Sequence, residues 1–164
     1  MLNRARQLIR KKKNVRFLFF IVVLFWCIGF ASQSLFPGSG FAIVTYPVLK
    51  RFYGTVCHQI DVKTFSFMGH KLFVCARCTG IYMGALLTSF SALFFSPRLK
   101  LGIKLLYAAI LPVIIDVVMS TLDIYRYSKY LAFFTGLFFG SVVFIYILDA
   151  IENHFNGNKI DNNE

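Results

Sequence analysis

The sequence predicts an all-α membrane protein, a bundle of four transmembrane helices with one long outer loop. Three observations predict it. Apolar residues make up 57% of the 164 residues, against about 45–50% in globular chains. Twenty phenylalanines accompany a charged fraction of only 15%. Four stretches, 17–36, 73–95, 101–121 and 130–151, are long and apolar enough to cross a bilayer, which takes about 20 residues each.

The segment before the first span, residues 1–16, holds seven of the eighteen Lys and Arg. Such a juxtamembrane block stays in the cytoplasm and attracts anionic lipid headgroups. The net charge of +11 therefore points to lipid and topology and not to nucleic acid, because no folded soluble face carries it. The apolar run 17–36 exceeds the about 7–15 residues of a cleaved signal peptide, so an uncleaved anchor is expected. Cys27 within it reads as a small buried hydrophobe.

With the N-terminus inside, four spans return the C-terminus to the cytoplasm. The expectation is a multi-pass protein of the inner (plasma) membrane with both termini cytoplasmic. The loop 96–100, carrying Arg98 and Lys100, then lies inside, and the loops 37–72 and 122–129 lie outside. In the long loop, Phe41–Tyr53 mixes apolar residues with Lys50 and Arg51. It reads as an interfacial helix that Pro47 would start or break. Residues 17–151 form one membrane domain without internal repeat, and 152–164 read as a polar cytoplasmic tail. Gly80 and Gly84 in the second span, and Gly136 and Gly140 in the fourth, have the spacing that lets membrane helices approach closely. Spans two and four are expected to pack together.

The reactive side chains gather at one place. Cys57-His58-Gln59 stands sixteen residues before Cys75-Ala76-Arg77-Cys78, at the mouth of the second span. Read as helical, Cys75 and Cys78 share a face one turn apart. Free N–H groups at a helix start, with Arg77 beside them, favour thiolate over thiol. Cys₃His is a common zinc set, so Cys57, His58, Cys75 and Cys78 are the candidate ligands, with His70 as the alternative imidazole. The same C-x-x-C spacing fits a quinone-linked thiol–disulfide oxidoreductase. Those enzymes use a second cysteine pair, and here the outer loop offers only Cys57. A single disulfide that staples the loop is a third reading.

Asp116 lies within the third span, about five residues from its outer end, near the depth of Tyr82 and Thr135. A carboxylate in hydrocarbon is costly and marks a candidate functional site. Asp116 and Arg77 are the candidate catalytic residues, and Gln59, His70, Thr79, Tyr82 and Thr135 the candidate pocket. The structural alternative for Asp116 is a hydrogen bond to Thr135, Tyr82 or backbone freed near Pro112. Asp123 reads as a rim residue, solvated or paired with Arg126. A transporter reading finds only one intramembrane acid and no inverted repeat.

Cys57-His58-Gln59, Gly69-His70 and the run from Val74 to Gly84 resemble a family of small prokaryotic membrane proteins named "domain of unknown function 2085". Its pattern is CHQ, a short loop, then CARCTGIYxG. Pro112 through Asp116, Ser128 and Thr135-Gly136 are similar to its second block. The resemblance covers roughly Cys57 to Gly140. Asp61 and Lys63-Thr64 stand where the family usually has Pro and Arg-Ser. Val117, Lys129 and Ala132 replace its usual Gly, Asn and Arg. The resemblance implies a membrane protein with its site at these cysteines, and it implies no particular reaction.

Overall fold

The computed structural model describes residues 2–35, 38–67, 69–94, 102–122 and 126–157. The chain opens with α1 (Leu2–Leu35), then α2 (Gly40–Gly54) and a 3-10 turn at Asp61–Lys63. A hairpin of β1 (Thr64–Phe67) and β2 (His70–Cys75) leads into α3 (Ala76–Phe94), followed by α4 (Ile103–Thr121) and α5 (Lys129–Gly157). The four long helices pack in the order α1, α3, α5, α4. The loop 96–100, Asp123 and the tail beyond Gly157 lie outside the described residues.

Three helices among the described residues are long and apolar enough to cross a membrane: Lys13–Leu35, Ile103–Thr121 and Lys129–Ile151. They match the first, third and fourth expected spans. The expected second span is not among them. Its first residues, Phe73–Cys75, belong to β2, and α3 proper is diluted by Arg77, Thr79, Gly80, Gly84, Thr88, Ser89 and Ser91. Packing between α1 and α5 explains why α3 tolerates that composition. Its buried face is made of Ala76, Thr79, Gly80, Gly84, Ser89 and Ala92.

The expected contact of the two glycine pairs is present. A Cβ on Gly80 would collide with the Phe133 carbonyl, and one on Gly84 with that of Leu137. Gly136 and Gly140 lie equally close to the Arg77 and Ile81 carbonyls. The two backbones therefore meet without intervening side chains, the arrangement that maximises dispersion contact where no hydrophobic effect drives association. Ser141 Oγ adds a hydrogen bond to the Gly84 carbonyl at 3.3 Å. At the end of α3 remote from the cysteines, Arg16 Nη1 donates to the Ala92 carbonyl at 3.1 Å.

The long loop also holds a hairpin that the sequence reading did not anticipate, in which β1 and β2 pair antiparallel with Thr64 opposite Cys75 and Phe67 opposite His70. The hairpin turns at Gly69, whose φ of 79° lies where a Cβ is disfavoured. The α2 helix exists, but Pro47 lies inside it and neither starts nor breaks it. One backbone N–H is lost, and the helix continues around it. Val44, Val48 and Phe52 form an exposed apolar stripe on α2, while Tyr53 turns inward and stacks on Phe73 at 6.1 Å. Lys129 Nζ donates to the Thr64 carbonyl at 2.8 Å, and Lys63 Nζ sits 4.9 Å from the Tyr127 ring centre. These contacts clamp the hairpin onto the start of α5.

Candidate metal centre

Three short-range devices bring the cysteines together. After α2 ends, the Cys57 N–H donates to the Tyr53 carbonyl at 3.0 Å, so the chain stays folded against the helix end. Gln59 then takes a φ of 48°, rare for a side chain with a Cβ, and reverses the direction. Its Nε2 donates to the Lys50 carbonyl at 2.8 Å, tying the reversed chain back onto α2. Gln59 thus ties the loop to α2 in addition to forming a pocket wall. Cys75 closes β2 opposite Thr64, and Cys78 lies in the first turn of α3. The Cys75 N–H donates to Cys57 Sγ at 3.2 Å, which joins the two segments directly.

The sulfurs of Cys57, Cys75 and Cys78 lie within 4.8 Å of one another. Thiolates on one tetrahedral zinc stand about 3.8 Å apart, given a Zn–S distance of about 2.3 Å. The three therefore fit one ion after a small contraction. All three are free thiols. The Cys57 thiol is held far below the usual range, chiefly by the S–H of Cys75, then by that of Cys78; the Cys75 and Gln59 amides help and burial opposes. Cys75 is pushed up, chiefly because its proton bonds the Cys57 sulfur. The amide of Cys78, free in the first helical turn, works the other way on Cys75. One thiolate shared by two protonated neighbours is what three crowded thiols adopt, and a cation at their centre would displace the remaining protons.

The imidazoles stand differently from expectation. His58 is exposed at the rim of a pocket of about 220 Å³ that the three cysteines also line. It is outside the three-sulfur group. His70 is exposed at the hairpin turn, five residues along β2 from Cys75, or about 16 Å at ~3.3 Å per residue. It does not reach the cluster.

The polar pocket expected around Asp116 also resolves into separate contacts. Asp116 is buried and accepts a hydrogen bond from Arg77 Nη2, forming an ion pair between α4 and the first turn of α3. The guanidinium that was expected to act on the thiolates is therefore committed to a carboxylate. Thr135 Oγ1 donates within its own helix, to the Leu131 carbonyl at 3.0 Å and the Ala132 carbonyl at 3.2 Å. Thr79 Oγ1 does likewise to the Cys75 carbonyl at 3.1 Å. Tyr82 packs on Trp26 at 5.7 Å and Phe30 at 5.9 Å.

The floor of the site is built chiefly by aromatic residues that sequence reasoning did not single out. Phe30, Tyr53, Phe73, Val74 and Cys27 are buried in one cluster with Cys57, and Trp26, Cys75, Cys78 and Tyr82 pack against it. Cys27 is the buried hydrophobe expected. Tyr53 Oη donates to the Trp26 carbonyl at 2.9 Å, fixing α2 on α1 beneath the cysteines. The one signal was Trp26 and Phe30, four apart and so on one face of α1.

A family described as "Predicted membrane protein (DUF2085)" matches residues 57–146, a segment that begins at Cys57. An uncharacterized protein of Methanocaldococcus jannaschii, MJ1492, is 34% identical over 99 residues, 58% of this chain and 64% of the relative. The chain thus spans less than two thirds of that relative's length. An uncharacterized protein of Methanothermobacter thermautotrophicus is 39% identical over 84 residues, 50% of this chain and 75% of the relative. No solved structure matches the chain.

Proposed function

Because the chain belongs to the DUF2085 family of membrane proteins, we propose that it is an integral membrane protein whose Cys57, Cys75 and Cys78 hold one zinc ion on the extracytoplasmic side. The observation that supports this reading is the convergence of three sulfurs, from a loop, a strand end and a helix start, within 4.8 Å. Zinc accepts thiolate and imidazole together. His58 is the fourth ligand in this reading, reached by rotation of its exposed side chain from the pocket rim. The α3 helix crosses the membrane as the fourth span, its polar face shielded by α1 and α5. Both termini are then cytoplasmic, and the basic segment before α1 lies against anionic headgroups. The bound ion pins the loop after α2 to the mouth of α3.

A second reading draws on the three free, adjacent thiols. In it, Cys75 and Cys78 pass two electrons and two protons to a quinone, forming a disulfide and a quinol. The Cys57 thiolate then attacks that disulfide, forming an S–S bond to one of the two sulfurs and expelling the other as a thiolate. Metal analysis of protein purified without added metal separates the two. The zinc reading expects about one ion per chain, lowered by Cys57→Ser, Cys75→Ser or Cys78→Ser. Metal-free protein carrying a Cys75–Cys78 disulfide supports the oxidoreductase and removes the zinc reading.

A further inference from the structure

Beside the cysteine cluster lies a larger pocket of about 410 Å³, and Gln59 stands in the wall between the two. Lys50 and Tyr46 of α2 form one side, His70 and Lys71 of the hairpin the other, and Gln33 of α1 contributes at its base. Among the described residues Asp61 is the one carboxylate lining it, 3.1 Å from Lys71 Nζ. Those two side chains are 75% and 54% exposed, so their pair is weak and readily exchanged for another partner. Lys50 Nζ rests 5.5 Å from the centre of the Tyr46 ring. No carboxylate holds it among the described residues.

Position adds to the charge. The membrane-length stretch of α1 ends at Leu35, two residues beyond Gln33. The neighbouring α2 exposes the apolar stripe of Val44, Val48 and Phe52. A helix with that face dips into the boundary between headgroups and acyl chains. The pocket therefore opens at headgroup level.

We propose that this pocket binds a phosphate group, carried by an anionic phospholipid headgroup or by a soluble phosphoester. Two ammonium groups, an imidazole, an amide and a phenol supply more donors than the two oxygens of a carboxylate can accept. A phosphomonoester presents three charged oxygens, a phosphodiester two with two ester oxygens beside them, and either suits Lys as a point-charge partner. The volume exceeds that of a bare phosphate and leaves space for the glycerol beside it. On binding, Lys71 exchanges Asp61 for the phosphate. The site is independent of zinc at the cysteines.

The test measures binding to purified protein of three probes: phosphatidylglycerol, diacylglycerol with the same acyl chains, and glycerol phosphate. Wild type is compared with Lys50→Gln/Lys71→Gln and with His70→Gln. All three side chains are exposed, and an unchanged thermal midpoint shows that the variants fold. The basic N-terminal segment is intact in every variant, so its lipid binding cancels. Phosphatidylglycerol should bind at least about tenfold better than diacylglycerol, and the double lysine variant should lose at least about tenfold, the worth of one charge-assisted hydrogen bond. That loss seen with phosphatidylglycerol alone identifies a lipid headgroup, and seen with glycerol phosphate as well it identifies a soluble phosphoester. Equal binding by wild type and the double variant, or no binding of either phosphate probe, overturns the proposal.

Discussion

Cys57 is the residue on which the site's chemistry turns. Its sulfur receives the S–H groups of Cys75 and Cys78 and the Cys75 amide, so it holds negative charge that burial alone would forbid. The folded value lies below the unfolded one, so this group's contribution to stability is complete above the free-thiol pKa of about 8.5. That contribution fades as the pH falls toward the lowered folded value. In metal-free, reduced protein, Cys57 should therefore keep reacting with iodoacetamide well below pH 8. Peptide mapping across a pH series checks this, and a Cys57 that alkylates with the profile of an ordinary thiol contradicts it. The cysteines were legible in the sequence because C-x-x-C spacing and a third nearby thiol restrict where sulfur can lie. The orientation of His58 was not. It depends on the left-handed residue Gln59, which reverses the chain and bonds back to α2.

At the scale of elements, α3 carries the most information. Its glycines announced the contact with α5, because close backbone approach requires small residues at fixed spacing. Its start was misjudged for a physical reason. Leu72-Phe73-Val74 runs directly into the helix, and a continuous apolar run does not distinguish strand from helix. The ion pair of Arg77 with Asp116 ties α3 to α4, which otherwise meets chiefly α5. Both charged residues were visible, but their pairing depends on the reach of a long side chain across a neighbouring helix. Removing one partner breaks the ion pair and leaves the other charge in its desolvated place without it. Arg77→Met and Asp116→Leu should each cost about 3–5 kcal/mol, and the double variant should recover most of it. Asp116→Asn should behave like the single changes, since Arg77 again lacks a counter-ion. Denaturant unfolding in detergent measures this cycle, and additive losses in the double variant would show that the pair is not coupled.

For the whole molecule, three apolar helices and a shielded, more polar α3 make a bundle whose cysteine end is built by α2 and the hairpin. Composition gave away the membrane and the long helices, since about 20 apolar residues in a row have few other uses. It said little about the hairpin or the aromatic floor, which arise from contacts between segments far apart in sequence. If α3 crosses as the fourth span, Cys57, Cys75 and Cys78 face outward. A membrane-impermeant thiol reagent should label them in intact cells after reduction and chelation. Labelling that appears only once the cells are opened reverses the orientation.

The most direct test of the metal centre is X-ray absorption at the zinc edge of protein purified from membranes without added metal. Three sulfurs at about 2.3 Å and one nitrogen at about 2.0–2.1 Å are predicted. The nitrogen should be lost from the spectrum in His58→Ala, and the zinc itself in Cys57→Ser. A protein that arrives without zinc, with Cys75 and Cys78 joined as a disulfide, would contradict the account.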